Sequence, residues 1–308
     1  MLRLFRINVT VRFSSKVVYI MKEKIQVLEI TDCRYPALLR EIGANAPARL
    51  HCVGDISLLS ERCVAVVGAR KASKYGKTVA YNIGRKLAEH GLVTVSGMAF
   101  GCDSQAHLGA LAAGGKTIAV FGCGVDICYP PSNRELMNKI AENGLIISEY
   151  PPGIHPTSFT FPARNRIISG ISEMVVVAEA SLSSGSLITA GFAAEQGRKL
   201  MAVPGNITNI TSIGCNKLIQ DGVPPVMNME DVIRAMDLAV TEEVLVKTED
   251  LGSDEKKIVD YIIYNGESTA DSIAMSLDMK VSQVNAVVSV LEIKGLLLTD
   301  MGKIYIAK

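Results

Sequence analysis

Between Val64 and Val203 the chain places six short runs rich in Val, Ile and Ala, most of them separated by longer amphipathic stretches. This rhythm constrains the fold more than any other feature. A continuous apolar run is a strand buried on both faces. Regular strand–helix alternation makes successive strands parallel, because each helix carries the chain back across the sheet. The predicted strands are 64–67, 93–95, 117–121, 145–147, 174–178 and 200–203. Helical spacing predicts helices over 75–90, 103–113, 132–142 and 186–196. Asp103 and Ser132 are read as N-caps, and Gly91 and Gly114-Gly115 as stops. The expected fold class is therefore α/β, a doubly wound and mainly parallel sheet covered by helices on both faces.

A second, smaller pattern follows. Residues 237–251 are acidic and aperiodic and read as a linker. Beyond it come three helical stretches, 254–264, 269–277 and 282–294, with Thr269 able to cap the second. Two short strands, 296–299 and 303–306, complete a hairpin. Three helices and a two-stranded wing make a winged helix over residues 252–308. Residues 61–236 are assigned to the core and 25–60 to a lead-in segment. In residues 1–24, Arg3, Arg6, Arg12 and Lys16 alternate with apolar residues and no acid precedes Glu23. That composition suits either an organellar presequence or an extension upstream of a true start at Met21. The second reading is preferred.

Hydrophobic residues make up 48% of the chain and charged residues 20%, so a sizeable core is expected and extensive disorder is not. The net charge of +1 names no partner, but its distribution is informative. Residues 61–236 carry sixteen Lys or Arg against thirteen acids, and residues 252–308 carry six against eight. A polyanion site is thus expected in the core. Seven cysteines without a C-x-x-C pair read as reduced packing thiols of a cytoplasmic protein, with no metal site. No apolar run reaches the roughly 18–20 residues of a spanning helix, so no membrane role is expected.

In a doubly wound sheet the loops after the strand C-termini form the ligand crevice. Here those loops carry phosphate-holding groups. Gly68, Arg70, Lys71 and Ser73 follow the first strand, where glycine permits a tight turn and arginine offers a bidentate fork. Ser96, Gly97 and Gly101 form a second small-residue loop that suits phosphate. Arg164, Asn165 and Arg166 sit together, and Gly185, Ser186 and Thr189 open a helix. Arg164 and Arg166 have an alternative role in an ion-pair network with Glu149, Glu173 or Glu179. Phe161 suits either base stacking or core packing. Ser104, His107 and Asp103 lie within one helical turn, which does not give the relay geometry of a nucleophilic triad. The Gly68 loop does not match G-x-G-x-x-G and the Ser96–Asp103 loop holds no Gly-Lys-Ser/Thr, so no dinucleotide or other cofactor is expected. On the third tail helix only Gln283, Asn285 and Lys294 could contact DNA.

Together these motifs resemble one family. Val67-Gly-Ala-Arg70, Ser96-Gly97 to Asp103 with His107, Tyr129-Pro130, Ser148-Glu149-Tyr150, Phe161-Pro-x-Arg-Asn-Arg-Ile167, Ser184-Gly-Ser-Leu-x-Thr-Ala190 and Val203-Pro-Gly205 occur in the order seen in the bacterial DNA-processing protein A family, also called Smf. The resemblance implies an extended Rossmann-like core that binds single-stranded DNA, forms a homodimer and helps load the RecA recombinase on incoming DNA during natural transformation. It implies no enzymatic activity. It places DNA contacts at Arg70, Arg164, Asn165 and Arg166, with Ser186 and Thr189 nearby. Two departures stand out: Cys102 replaces the usual Ile, and Asp221-Gly-Val-Pro-Pro replaces the usual Gly-Ala near the surface expected to dimerise. Two other readings remain: a nucleotide-hydrolysing phosphoribohydrolase-like enzyme and a winged-helix transcription regulator.

Overall fold

The computed structural model describes residues 25–238, 251–300 and 302–307. The expectations for residues 1–24 and for most of the acidic linker lie outside the described residues. Two compact units result, 25–238 and 251–307.

The first unit is built on an eight-stranded sheet. Its strands are β1 (Gln26–Glu29), β2 (Arg49–Gly54), β3 (Cys63–Gly68), β4 (Val93–Ser96), β5 (Thr117–Phe121), β6 (Leu145–Ser148), β7 (Met174–Glu179) and β8 (Lys199–Ala202). The order across the sheet is β1-β2-β6-β5-β4-β3-β7-β8. The six strands from β3 to β8 pair in parallel, as the Val/Ile runs require. Each lies within a residue or two of its expected span.

The lead-in segment is more than a cover. β1 pairs antiparallel with β2, and β2 pairs antiparallel with β6, so residues 26–54 extend the sheet by two strands. The short helix α1 (Ala37–Glu41) lies between them. Their alternation is weaker because β1 lies at the sheet edge with one buried residue, Leu28.

Helices α2 (Lys74–Glu89), α3 (Cys102–Ala112) and α4 (Arg134–Asn143) pack in a row on one face. Helices α5 (Thr160–Gly170), α6 (Ser186–Glu195) and α7 (Ile213–Gln220) cover the other face, while α8 (Met229–Ala235) packs against α2. Two N-cap assignments are corrected. Gly101 occupies the cap of α3, and Asp103 lies inside the first turn. Ser132 lies in a 3-10 turn, Pro131–Asn133, that precedes α4. The whole Phe161–Ile168 stretch lies inside α5. Pro162 there is in the first turn, where a missing N–H costs nothing.

α2 and α3 approach backbone to backbone. A Cβ on Gly109 would strike the carbonyl of Tyr81, and one on Gly84 the carbonyl of Ala106. Six cysteines are buried and Cys33 is exposed, all as free thiols.

The second unit contains α9 (Ser253–Asn265), α10 (Ala270–Leu277), α11 (Val281–Ile293), β9 (Leu297–Asp300) and β10 (Lys303–Ile306). This is the element set of a winged helix. Thr269 caps α10 by accepting from Ser272 N, as expected. Ile258, Ile262, Ile273, Val284, Leu291 and Leu297 form its own small core. Lys294 pairs with Glu255 at 2.8 Å, and Gln283 donates to Asp254 at 2.9 Å. Two of the three candidate DNA contacts on α11 are therefore committed within the unit.

The α2–α3 contact leads to a stability test. Gly109→Ala should destabilise the first unit by about 1–3 kcal/mol through overpacking against the Tyr81 backbone. Gly191→Ala, in α6 with open space around it, should be neutral or stabilise by up to about 1 kcal/mol. Chemical denaturation of both variants checks the pair.

Candidate nucleic-acid interface

The winding of the sheet reverses beside β3: the chain steps through β4, β5 and β6 on one side and through β7 and β8 on the other. Loops leaving β3 and β7 must therefore diverge, and a crevice opens at their C-terminal ends. A groove of about 780 Å³ occupies that place. Its walls are the loop after β3, the start of α5 and the turn from β7 into α6.

The β3 loop contributes Gly68, Arg70 and Lys71 to the groove. Both cations are exposed, and among the described residues neither forms an ion pair. The Arg70 guanidinium lies over the Phe161 ring, 5.0 Å from its centroid. Phe161 is in turn 5.1 Å from the ring of Tyr129. Phe161 is half-buried, lines the groove and packs against Arg70 and Tyr129.

The opposite wall is polar and uncharged. Gly185, Ser186 and Thr189 all line it, together with Ser183 and Ser184. The N-cap Gly185 supplies no side chain, and the first-turn N–H groups of Ser186, Leu187 and Ile188 donate within the turn, to Ser184 Oγ, Ser184 O and Gly185 O at 3.4, 3.1 and 3.2 Å. The hydroxyls of Ser184 and Ser186 are 2.7 Å apart and can rotate to donate to an oxyanion.

The Arg164-Asn165-Arg166 triplet splits in three directions, because consecutive helix residues point about 100° apart. Asn165 lines the groove and donates to the carbonyl of Gly185 at 3.2 Å, tying α5 to the α6 turn. Arg164 is buried in the groove floor, 4% exposed. It donates to the carbonyls of Gly97 and Val120 and to Asn165. Burial pulls its pKa down to about 10, with the nearby Asp103 carboxylate acting in the opposite sense. It is still a cation at neutral pH, but its donors are largely spent on the scaffold. Arg166 points away from the groove. It holds Glu149 through two hydrogen bonds of 2.8 and 2.7 Å and donates to Asn45 O at 2.9 Å. The expected ion-pair alternative therefore describes Arg166, whose hydrogen bond to Glu149 pushes its pKa up.

The expected phosphate loop is corrected in the same way. Ser73 caps α2 by accepting from Gly76 N, and its own N–H and hydroxyl donate to Glu179. Ser96 is fully buried and donates to Val66 O. Gly97 N donates to Asp103. Gly101, at φ 80°, passes so close to the Ala69 carbonyl that any Cβ would collide with it. These four residues hold the floor together, and only Gly68 of the expected phosphate set lines the groove.

Asp103 lies in that floor with its pKa raised by burial. His107 is fully buried, and its Nδ1 is 2.6 Å from the Thr117 hydroxyl. Burial pushes its pKa down to about 3, so the ring is neutral. Ser104 donates to Ala99 O, which leaves no Ser–His relay. Among the described residues no three His, Cys, Asp or Glu side chains are grouped to hold a metal ion.

The model of the family described as DNA recombination-mediator protein A matches residues 26–237. The chain belongs to this family. A DNA processing protein DprA of Streptococcus pneumoniae is 46% identical over 211 residues, covering 68% of this chain and 74% of that one. A solved DprA structure from the same species superposes with a TM-score of 0.66 at 45% identity, covering 70% of this chain and 76% of the other. A second, DprA of Helicobacter pylori, gives 0.64 at 33% identity over 70% and 98% of the two chains; its description concerns that protein's single-stranded DNA binding mode.

For this DprA-family chain the sequence reading missed Tyr129, Ser183 and the Pro156–Ser158 segment as groove walls. Tyr129 could have been found, since Tyr-Pro sits in a loop that follows a strand C-terminus.

Burial separates the two groove arginines. Arg164→Ala should cost at least about 2 kcal/mol of stability, because buried carbonyls lose charged donors. Arg70→Ala should cost less than about 1 kcal/mol, the worth of an exposed cation–π contact. Similar thermal shifts in both variants would contradict this division.

Proposed function

We propose that the groove binds single-stranded DNA without reading its sequence and that the protein acts as a recombination mediator. The observation that carries this is the pairing of exposed cations, Arg70 and Lys71, with the serine hydroxyls at the start of α6 in one groove. Phosphates suit both walls. The aromatic side chains Phe161 and Tyr129 suit unpaired bases, which a duplex keeps stacked inside. The single-strand binding named for the Helicobacter relative supports the same reading.

In this reading the protein is not an enzyme. The groove's one lining carboxylate, Asp103, accepts from the Gly97 backbone, and the nearby Ser104 and His107 are bonded to the scaffold. A nucleotide-hydrolysing role therefore has less support. The wider proposal, drawn from the family resemblance, is that a cytoplasmic homodimer loads RecA on DNA taken up during transformation. Exposed Ile207, Ile210 and Ile213, beside and within α7, offer an apolar surface for the second copy. The Asp221–Pro225 run turns back to pair beside β8.

Fluorescence titration over a salt series tests the binding. Single strands should bind more tightly than duplex, with log K falling against log salt at a slope of about −3 to −4 if about four to six phosphates are neutralised. Equal affinity for duplex, or a flat salt series, contradicts the proposal. A chain ending near residue 238 should keep most single-strand affinity, because the second unit is net acidic and its Gln283 and Lys294 are paired within it. Loss of binding in a truncated protein that stays folded would move the site to the second unit.

A further inference from the structure

Glu179 ends β7 and is 2% exposed. Among the described residues it forms no ion pair. Three donors hold its carboxylate instead. Ser73 N donates to one oxygen at 2.8 Å, and the hydroxyls of Ser73 and Thr211 donate to the other at 2.6 and 2.8 Å. The carboxylate lies against the first turn of α2, where a Cβ on Gly76 would strike it. That is the positive end of the helix dipole, a ready place for an anion. The chain fills this place with its own side chain.

Glu179 also holds the other end of the same loop. Its main-chain carbonyl accepts from Ala69 N at 2.8 Å. One residue therefore fastens both Ala69 and Ser73, and Arg70, Lys71 and Ala72 form the span between them. The two exposed cations of the groove stand on that span. A short loop tied at both ends has few conformations, so its cations meet a ligand already placed. Charge works in the opposite sense. A carboxylate at the base of a cationic loop repels phosphate, so its electrostatic effect alone weakens DNA binding.

We propose that Glu179 is a positioning residue for the phosphate grip, fixing loop 69–73 so that Arg70 and Lys71 face the groove together. The inference rests on the single-strand reading above and adds to it a group that touches no DNA. What the loop draws from Glu179 is hydrogen bonding and not charge.

Titration of the full chain with a fluorescent oligothymidylate at low salt tests this, because the sign of the effect separates the two roles. Glu179→Ala keeps the main-chain bond to Ala69 and frees Ser73. It should weaken binding by about tenfold, the order expected when two long side chains must be ordered on binding. Glu179→Gln removes the charge but keeps an acceptor, and should bind about as tightly as the wild type. In an Arg70→Ala/Lys71→Ala background, Glu179→Ala should have no further effect. Circular dichroism melts establish that each variant is folded at the titration temperature. Should Glu179→Ala not fold, Ser73→Ala, which removes one donor to the carboxylate, takes its place with the same expectations in both backgrounds. The inference is overturned if the folded variant binds as tightly as the wild type or more tightly, or if it weakens binding equally without the two cations. It is also overturned if Glu179→Gln weakens binding by the full tenfold. If the wild-type protein does not bind the oligothymidylate, the single-strand reading itself fails and this inference falls with it.

Discussion

The guanidinium of Arg164 sits under the groove floor and ties α5 to two neighbouring strands of the sheet, β4 and β5. It reaches the Gly97 carbonyl at the end of β4, the Val120 carbonyl in β5 and the Asn165 side chain on its own helix. Burying this cation costs solvation, which is why its pKa is depressed. Charged hydrogen bonds to carbonyls offset that cost, and each of them fixes a distance. The start of α5 is set by the same anchor, and with it the positions of Phe161 and Asn165. Asn165 extends the chain of contacts to Gly185 and the α6 turn. The two walls of the groove are thus referenced to one buried group.

With the floor fixed, the remaining charges divide by location. Arg166 faces Glu149 and the lead-in segment, where it ties the residue after β6 and the turn before β2 to α5. Arg70 and Lys71 are left on the rim without a carboxylate partner among the described residues. A surface cation with no partner contributes little to folding and keeps its full attraction for a mobile anion. The second unit shows the opposite arrangement. Its lysines at 257, 294 and 303 are paired with Asp254, Glu255 and Glu267. The same residue types are left without an ion pair in one place and are paired in the other.

The sheet was legible because buried parallel strands write themselves as continuous Val and Ile runs. The groove's position followed from the loops after the strand C-termini and from glycine at the end of β3. The direction of each side chain was less legible. Arg164, Asn165 and Arg166 are adjacent in sequence, yet helix geometry sends them to the floor, the groove and the far side. No helix was expected over this stretch, so that rotation stayed hidden. The Ser96–Gly101 loop misled for a related reason. Small residues there permit close passage of backbone against Ala69 and room for the Arg164 guanidinium, a packing need that looks like a phosphate loop in sequence. Tyr129 was visible as part of a motif, but its contact with Phe161 crosses between elements and has no local signature.

Hydrogen–deuterium exchange of the full chain, with and without a saturating single-stranded oligonucleotide, tests the location of the site most directly. The groove account predicts slowed exchange at 68–71, 129–133, 157–165 and 183–189, with residues 251–307 unchanged. Protection confined to 251–307, or an unchanged groove under conditions where the strand is bound, would contradict it.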